Sequence, residues 1–299
     1  MRILIPVDGS KFSTAAVDFV ASRATLIGNE PSIELLNVQA PVPARAARVV
    51  GKATLQSYHD DESTRALKPG LAALAKAGMT AMSGYVVGHA AEEIARRADK
   101  DEVDLIVMGS HGHGALLQLV LGSVTNGVLA HTRKPMLLVR DRAAPKADSL
   151  HAGIAIDGSK FGRAAARYVL KHRHLFGAAP TFTLIHVVPD FAGAVMPDMA
   201  GLALPAYSDD EIRALQRKAF ETAVAPVRKL FEKEGVKVEE ACLVGAAAEE
   251  IAAFAKKRKL DVLVLGSHGH GAFKNAVLGS VVTRVAHITT IPLLLVREA

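Results

Sequence analysis

A chain of 299 residues exceeds what one small core organises, so two domains of about 150 residues each are expected. Half of the residues are hydrophobic and 22% are charged, which excludes a disordered, collagen-like or low-complexity chain. One cysteine excludes a disulfide framework and a Cys-rich zinc module and fits a reducing, cytoplasmic setting. The net charge of +6 is spread evenly, with 17 Lys and Arg against 14 Asp and Glu in residues 1–146 and 19 against 16 in the rest. With no Trp, 5% aromatic residues and no basic tail, nucleic acid is not an expected partner. The opening MRILIPVDGS is too short in apolar residues for a signal sequence, and no run reaches the roughly 18 apolar residues of a membrane span.

In chain order, short apolar runs alternate with longer helical patterns. Strands are expected at Arg2–Val7, Ile33–Val38, Ala81–Val87, Leu105–Met108 and Met136–Arg140. Helices are expected at Ser13–Ile27, Asp60–Ala77, Ala90–Lys100 and Ser123–His131. Asp141–Ala152 is polar, aperiodic and Pro/Ala-containing, a linker by composition, and places the domain boundary between residues 1–146 and 147–299. Strands then follow at Gly153–Ile156, Phe182–Val188, Val238–Val244, Val262–Leu265 and Leu293–Arg297, with helices between them as in the first half. Continuous Val/Ile/Leu strands are buried on both faces, so each half reads as a doubly wound five-stranded parallel-sheet α/β domain.

The two halves repeat one another. Val103–Arg140 recurs as Leu260–Arg297 at an offset of 157, and Ile3–Ser13 recurs near Gly153–Gly162 at an offset of 149. In such sheets ligands bind beyond the carboxyl ends of the strands, where strand order reverses. At those ends stand Asp8-Gly9-Ser10 and Asp157-Gly158-Ser159, whose carboxylates suit an adenine amino group or a ribose hydroxyl. The fourth strands run into Gly109, Gly112 and Gly114, followed by Gly122-Ser123, and into Gly266, Gly269 and Gly271, followed by Gly279-Ser280. Glycines let main-chain N–H groups approach phosphate oxygens, and a helix start with a Ser cap adds donors and a favourable dipole. No Gly-Lys-Ser/Thr follows at P-loop spacing.

These motifs resemble the universal stress protein family, in its tandem ATP-binding form. Its nucleotide signature is matched by Gly109, Gly112, Gly122-Ser123 and again by Gly266, Gly269, Gly279-Ser280. The Asp-Gly-Ser turns, Asn-Val-Gln and His-Val-Val around Val38 and Val187, and the closing Pro-Met-Leu-Leu-Val-Arg and Pro-Leu-Leu-Leu-Val-Arg also match. The resemblance implies strand order 3-2-1-4-5 in each half, an adenine nucleotide α-hydrolase-like fold. It implies that Asp8 and Asp157 meet adenine or ribose, that Val38 and Val187 meet adenine through their main chain, and that the glycines with Ser123, Val124, Ser280 and Val281 hold the phosphates. The cofactor so implied is ATP or another adenine nucleotide, with Mg²⁺ arriving on the phosphates. Pairing of the two halves through their last strands into an internal pseudo-dimer is also implied, with homodimerisation of whole chains left open. Two departures stand out: the third-strand turns lack a frequent proline, and His113 and His270 stand where Arg or Lys is frequent.

His111, His113, His268 and His270 lack a nearby carboxylate or thiol set, so a metal centre built by the protein is not expected. Phosphoryl transfer also needs metal-holding acids and a charge-stabilising cation, which the loops do not show, so catalysis is not expected, and the resemblance implies a non-catalytic regulator of stress response. A weak ATP hydrolase and a scaffold with empty sites are the alternatives. Cys242 is expected as a small core residue and Lys256–Lys259 as a solvated helix end. Asp190–Tyr207, rich in Met, Pro and Ala, is expected to cap the site or contact a partner, with a plain surface loop as the alternative.

Overall fold

The structure, a computed structural model, describes residues 1–110, 121–140, 144–190, 208–268 and 278–297. The first half runs β1 (Arg2–Pro6), α1 (Lys11–Ala21), β2 (Ser32–Gln39), α2 (Ala44–Val50), α3 (Lys52–Lys76), β3 (Ala81–Val87), α4 (Ala90–Lys100), β4 (Leu105–Gly109), α5 (Ser123–His131) and β5 (Met136–Val139). The second runs β6 (His151–Ala155), α6 (Lys160–Lys171), β7 (Thr181–Val188), α7 (Asp209–Lys233), β8 (Glu239–Val244), α8 (Ala247–Lys257), β9 (Val262–Gly266), α9 (Ser280–Ile288) and β10 (Leu293–Val296). Short 3-10 turns follow α1 at Ala24–Asn29 and α6 at Arg173–Phe176.

The strands form one ten-stranded sheet in the order β3-β2-β1-β4-β5-β10-β9-β6-β7-β8. Each half therefore carries the order 3-2-1-4-5, with every pair parallel inside the half, as the resemblance implies. Leu, Ile and Val alternate between two cores because successive strand residues point to opposite faces. Ile3 and Ile5 enter the layer under α1, α3, α6 and α7, while Leu4 and Ile106 enter the layer under α4, α5, α8 and α9.

The halves meet where β5 and β10 pair antiparallel, with Leu137 opposite Leu294 and Leu138 and Met136 opposite Leu293 and Leu295. Leu137 and Leu294 are equivalent positions of the repeat, so this pair marks a pseudo-two-fold axis. The arginine that follows the last strand of each half then caps a helix of the other. Arg140 donates to the Ala286 carbonyl in the last turn of α9, and Arg297 donates to the Leu129 and Thr132 carbonyls at the end of α5. A cation there satisfies carbonyls that the helix cannot and opposes the negative end of its dipole. Burial pulls both guanidinium groups below their ordinary range.

Three expectations are corrected. The helix expected to Ile27 ends at Ala21 and gives way to the 3-10 turn at Ala24–Asn29. The helix expected from Asp60 begins at Lys52, because its buried stripe runs through His59 and Ser63 before Leu67, Gly70 and Leu74. Cys242 is exposed, because β8 is the outer edge strand and its side chains are only partly covered.

Candidate functional site

The site is built at the reversal of strand order, between β1 and β4 in one half and β6 and β9 in the other. The registers place the expected residues level with one another. Pro6 pairs with Leu36 and Leu4 with Ile106, so Asp8 stands level with Val38 and Ser110 just past the strand ends. In the second half Ile154 pairs with Leu184 and Val264, which brings Asp157, Val187 and Ser267 level in the same way.

Each Asp-Gly-Ser segment is a tight turn into a helix. Gly9 and Gly158 have φ of 82° and 83°, a left-handed conformation that side chains resist. The turn brings the N–H groups of Ser10 and Ser159 to donate to Oδ1 of Asp8 and Asp157, each at 2.9 Å. The serine hydroxyls then cap α1 and α6, accepting from the N–H groups of Ser13 at 3.2 Å and Gly162 at 3.3 Å. The carboxylates are thereby fixed in direction at the mouth of the site. Lys11 and Lys160, next in sequence, lie over the Phe12 and Phe161 rings at 5.1 and 5.2 Å.

The helices α5 and α9 start differently from the expectation. Gly122 and Gly279, not Ser123 and Ser280, are the cap residues, and no side chain caps either helix. The N–H groups of Gly122 and Gly279 donate to the Ser110 and Ser267 carbonyls at 2.8 Å, which ties each helix start to the level of Asp8 or Asp157. The N–H groups of Asn126 and Thr283 close the first turn onto the glycine carbonyls. By helix geometry, the N–H groups of Ser123, Val124 and Thr125 have no intrahelical acceptor, and those of Ser280, Val281 and Val282 likewise. Three aligned donors at the positive end of a helix dipole suit a phosphate group. Val124 and Val281 are exposed there.

Gly109 and Gly266 serve packing. A Cβ at Gly109 would lie 2.6 Å from the Phe12 backbone carbon, and one at Gly266 would lie 2.7 Å from that of Phe161. The first glycine of each signature thus lets α1 or α6 cross the end of the fourth strand and set the aspartate beside it. Gly112, Gly114, Gly269, Gly271, His111, His113 and His270 lie outside the described residues, as does most of the Asp190–Tyr207 segment.

Two further residues escaped the sequence reading. Buried Asn37 donates to the Val7 carbonyl at 2.7 Å and accepts from the Gln39 amide at 2.9 Å. Its repeat mate His186 bonds the Ile156 carbonyl through Nδ1 at 2.6 Å; a carbonyl only accepts, so Nδ1 carries the proton. Both ties lock the strand end that carries the aspartate. The signal was the polar residue in an apolar strand, at one position in both copies. His268, the described histidine of the second loop, has Nδ1 3.0 Å from the Ser267 hydroxyl and its ring 5.4 Å from that of Phe161. Among the described residues no group of three His, Cys, Asp or Glu side chains is placed to hold a metal ion, and no helix is long and apolar enough to cross a membrane.

The model of the universal stress protein family matches residues 1–140 and again 151–297. A universal stress protein of Mycolicibacterium smegmatis is 29% identical over 99% of this chain and 96% of its own. One from Methanocaldococcus jannaschii is 32% identical over 48% of this chain and 80% of its own. The crystal structure of a universal stress protein from Archaeoglobus fulgidus shares the fold, with a TM-score of 0.67 at 22% identity, covering 100% of this chain and 98% of that one. With both halves matched and the strand order repeated, the chain belongs to the universal stress protein family as a tandem member.

Proposed function

We propose that the chain binds an adenine nucleotide in each half, and that occupancy regulates a stress response without catalysis by the chain itself. The observation that carries this reading is the pair of uncapped helix starts at Gly122 and Gly279, each tied to the strand-end level of a turn-fixed aspartate. Asp8 and Asp157 accept from the base or sugar, the main chain at Val38 and Val187 meets adenine, and the N–H groups from Ser123 and Ser280 onward receive the phosphates. Gly112, Gly114, Gly269 and Gly271 are assigned to the same cradle on their place in the signature. The donors are main-chain amides, which bind an anion without supplying a proton or a nucleophile. Mg²⁺ would enter on the phosphate oxygens and keep most of its waters.

A ligand that binds the folded chain at 100 times its Kd stabilises it by about 2.7 kcal/mol, and regulation requires that it favour one conformation over another. Acid release and chromatography of the freshly purified chain, followed by titration with ATP, test the reading. Adenine nucleotide is expected in the wild type and absent after Gly122→Val with Gly279→Val. A wild-type chain that carries none and whose melting temperature ignores millimolar ATP overturns it. Phosphate release faster than free ATP, abolished by Asp8→Ala with Asp157→Ala, overturns the non-catalytic part.

A further inference from the structure

A cleft of about 590 Å³ opens between the halves, away from both cradles; none of the residues assigned to nucleotide lines it. Its walls are the segment before β5, the end of α6 and the end of β10. Arg133, Lys134, Arg167, Lys171 and Arg297 line it against only Asp99 and Asp104. Both carboxylates are engaged: Asp99 accepts from the Thr132 hydroxyl at 2.7 Å and Asp104 from the Arg2 N–H at 2.8 Å. Among the described residues, Arg133, Lys134, Arg167 and Lys171 make no ion pair. Four cations converge without carboxylate partners, and Val103, Pro135, Ala164, Val296 and the Tyr168 ring supply apolar surface between them.

The pseudo-two-fold axis gives this cleft a twin, and the linker crosses that twin at Arg23. By the repeat, His172 corresponds to Arg23, and Arg23 is buried under the linker. Its guanidinium donates to the carbonyls of Pro145 at 3.1 Å, Ala147 at 2.8 Å and Asp148 at 2.8 Å. At this one position the other copy therefore holds a short stretch of irregular polypeptide. The two copies differ in charge. Arg167, Lys171, Arg133 and Lys134 stand where the twin surface has Asp18, Ser22, Thr290 and Ile291.

We propose that this cleft docks a short acidic polypeptide segment of a partner protein, held by its cations at the place where the linker crosses the twin surface. The apolar walls suit side chains between the acidic ones, and the cations select carboxylates. The site is separate from the nucleotide cradles and its test does not depend on them.

The test is fluorescence anisotropy with the intact chain and a fluorescein-labelled peptide of the linker sequence Ala144–Ser149 carrying Lys146→Glu. Saturable binding is expected, weakened about ten-fold or more by Arg167→Glu with Lys171→Glu and also by Arg133→Ala with Lys134→Ala, and retained in Asp18→Asn on the twin face. The substituted side chains of α6 are exposed, and circular dichroism checks that each variant folds. No saturable binding overturns the proposal, as does equal binding by the charge-reversed chain. Cleft-dependent binding of inorganic tripolyphosphate without binding of the peptide assigns the cleft to a small phosphate ligand and also overturns it.

Discussion

Gly109 shows how a residue's role follows from what a methyl group in its place would strike. A Cβ there meets the backbone and Cβ of Phe12 at 2.6 Å, and backbone cannot step aside as a flexible side chain can. Gly109→Ala is therefore expected to destabilise the chain by about 1–3 kcal/mol, read as a lower urea midpoint, even with no nucleotide present. An unchanged midpoint would return this glycine to the phosphate role that its motif suggests. The sequence revealed that a glycine is required but not why, because the contacted residue lies almost a hundred positions earlier. Arg140 and Arg297 were legible as motif ends for the same reason and no further, since the carbonyls they cap belong to the opposite half.

His172 carries a pH dependence. Burial pulls its pKa down to about 4, with Lys171, His174 and the terminal amine adding to the effect and Asp104 opposing it. The fold accepts the neutral ring, so its contribution is fully present above the unfolded value of about 6.5 and is lost as pH falls from there to about 4, at about 1.4 kcal/mol per unit. His151 and His174, also pulled down chiefly by burial, act in the same direction. Urea midpoints measured across this range are expected to fall less steeply in His172→Gln than in wild type. Parallel curves would show that the ring is not held neutral.

At the scale of elements, the proposed nucleotide role falls on the helix starts of α5 and α9. A carboxylate placed in the first turn of a helix is favoured by the dipole by about 0.3–1 kcal/mol, yet it occupies the donors and repels phosphate. Val124→Asp with Val281→Asp is thus expected to hold or raise the melting temperature without nucleotide and to abolish its rise with ATP. A variant that keeps its ATP response would place the phosphates elsewhere. Strands were legible where both faces are buried, as at β1 and β4, because unbroken apolar runs have few other uses. The outer strands were legible in position but not in environment. Cys242 reads as a core residue by type, although the strand order that the resemblance implies puts β8 at an edge. The start of α3 was hidden because His59 and Ser63 are buried without being apolar.

At the scale of the whole molecule, the repeat is closed by its own symmetry. Leu137 opposite Leu294 joins two edges that would otherwise expose unpaired N–H and carbonyl groups. With the domain boundary proposed at 146/147, residues 1–146 expressed alone are expected to pair β5 with β5 of a second copy and to migrate as a dimer in light scattering. A stable monomer would show that the seam needs features peculiar to the second half. The strand order was legible only through the resemblance to the family, whereas the repetition of the motifs was legible because both copies preserve the same landmarks. The cleft between the halves was not, since its cations come from three separate stretches of sequence, before β5, along α6 and after β10.

The central claim is that both halves hold nucleotide, and calorimetric titration of ATP into the nucleotide-free chain tests it most directly. Saturable binding at two nucleotides per chain is expected, falling to one after either Asp8→Ala or Asp157→Ala and to none after both. Absence of saturable heat in the wild type, together with a melting temperature unmoved by millimolar ATP, would contradict it.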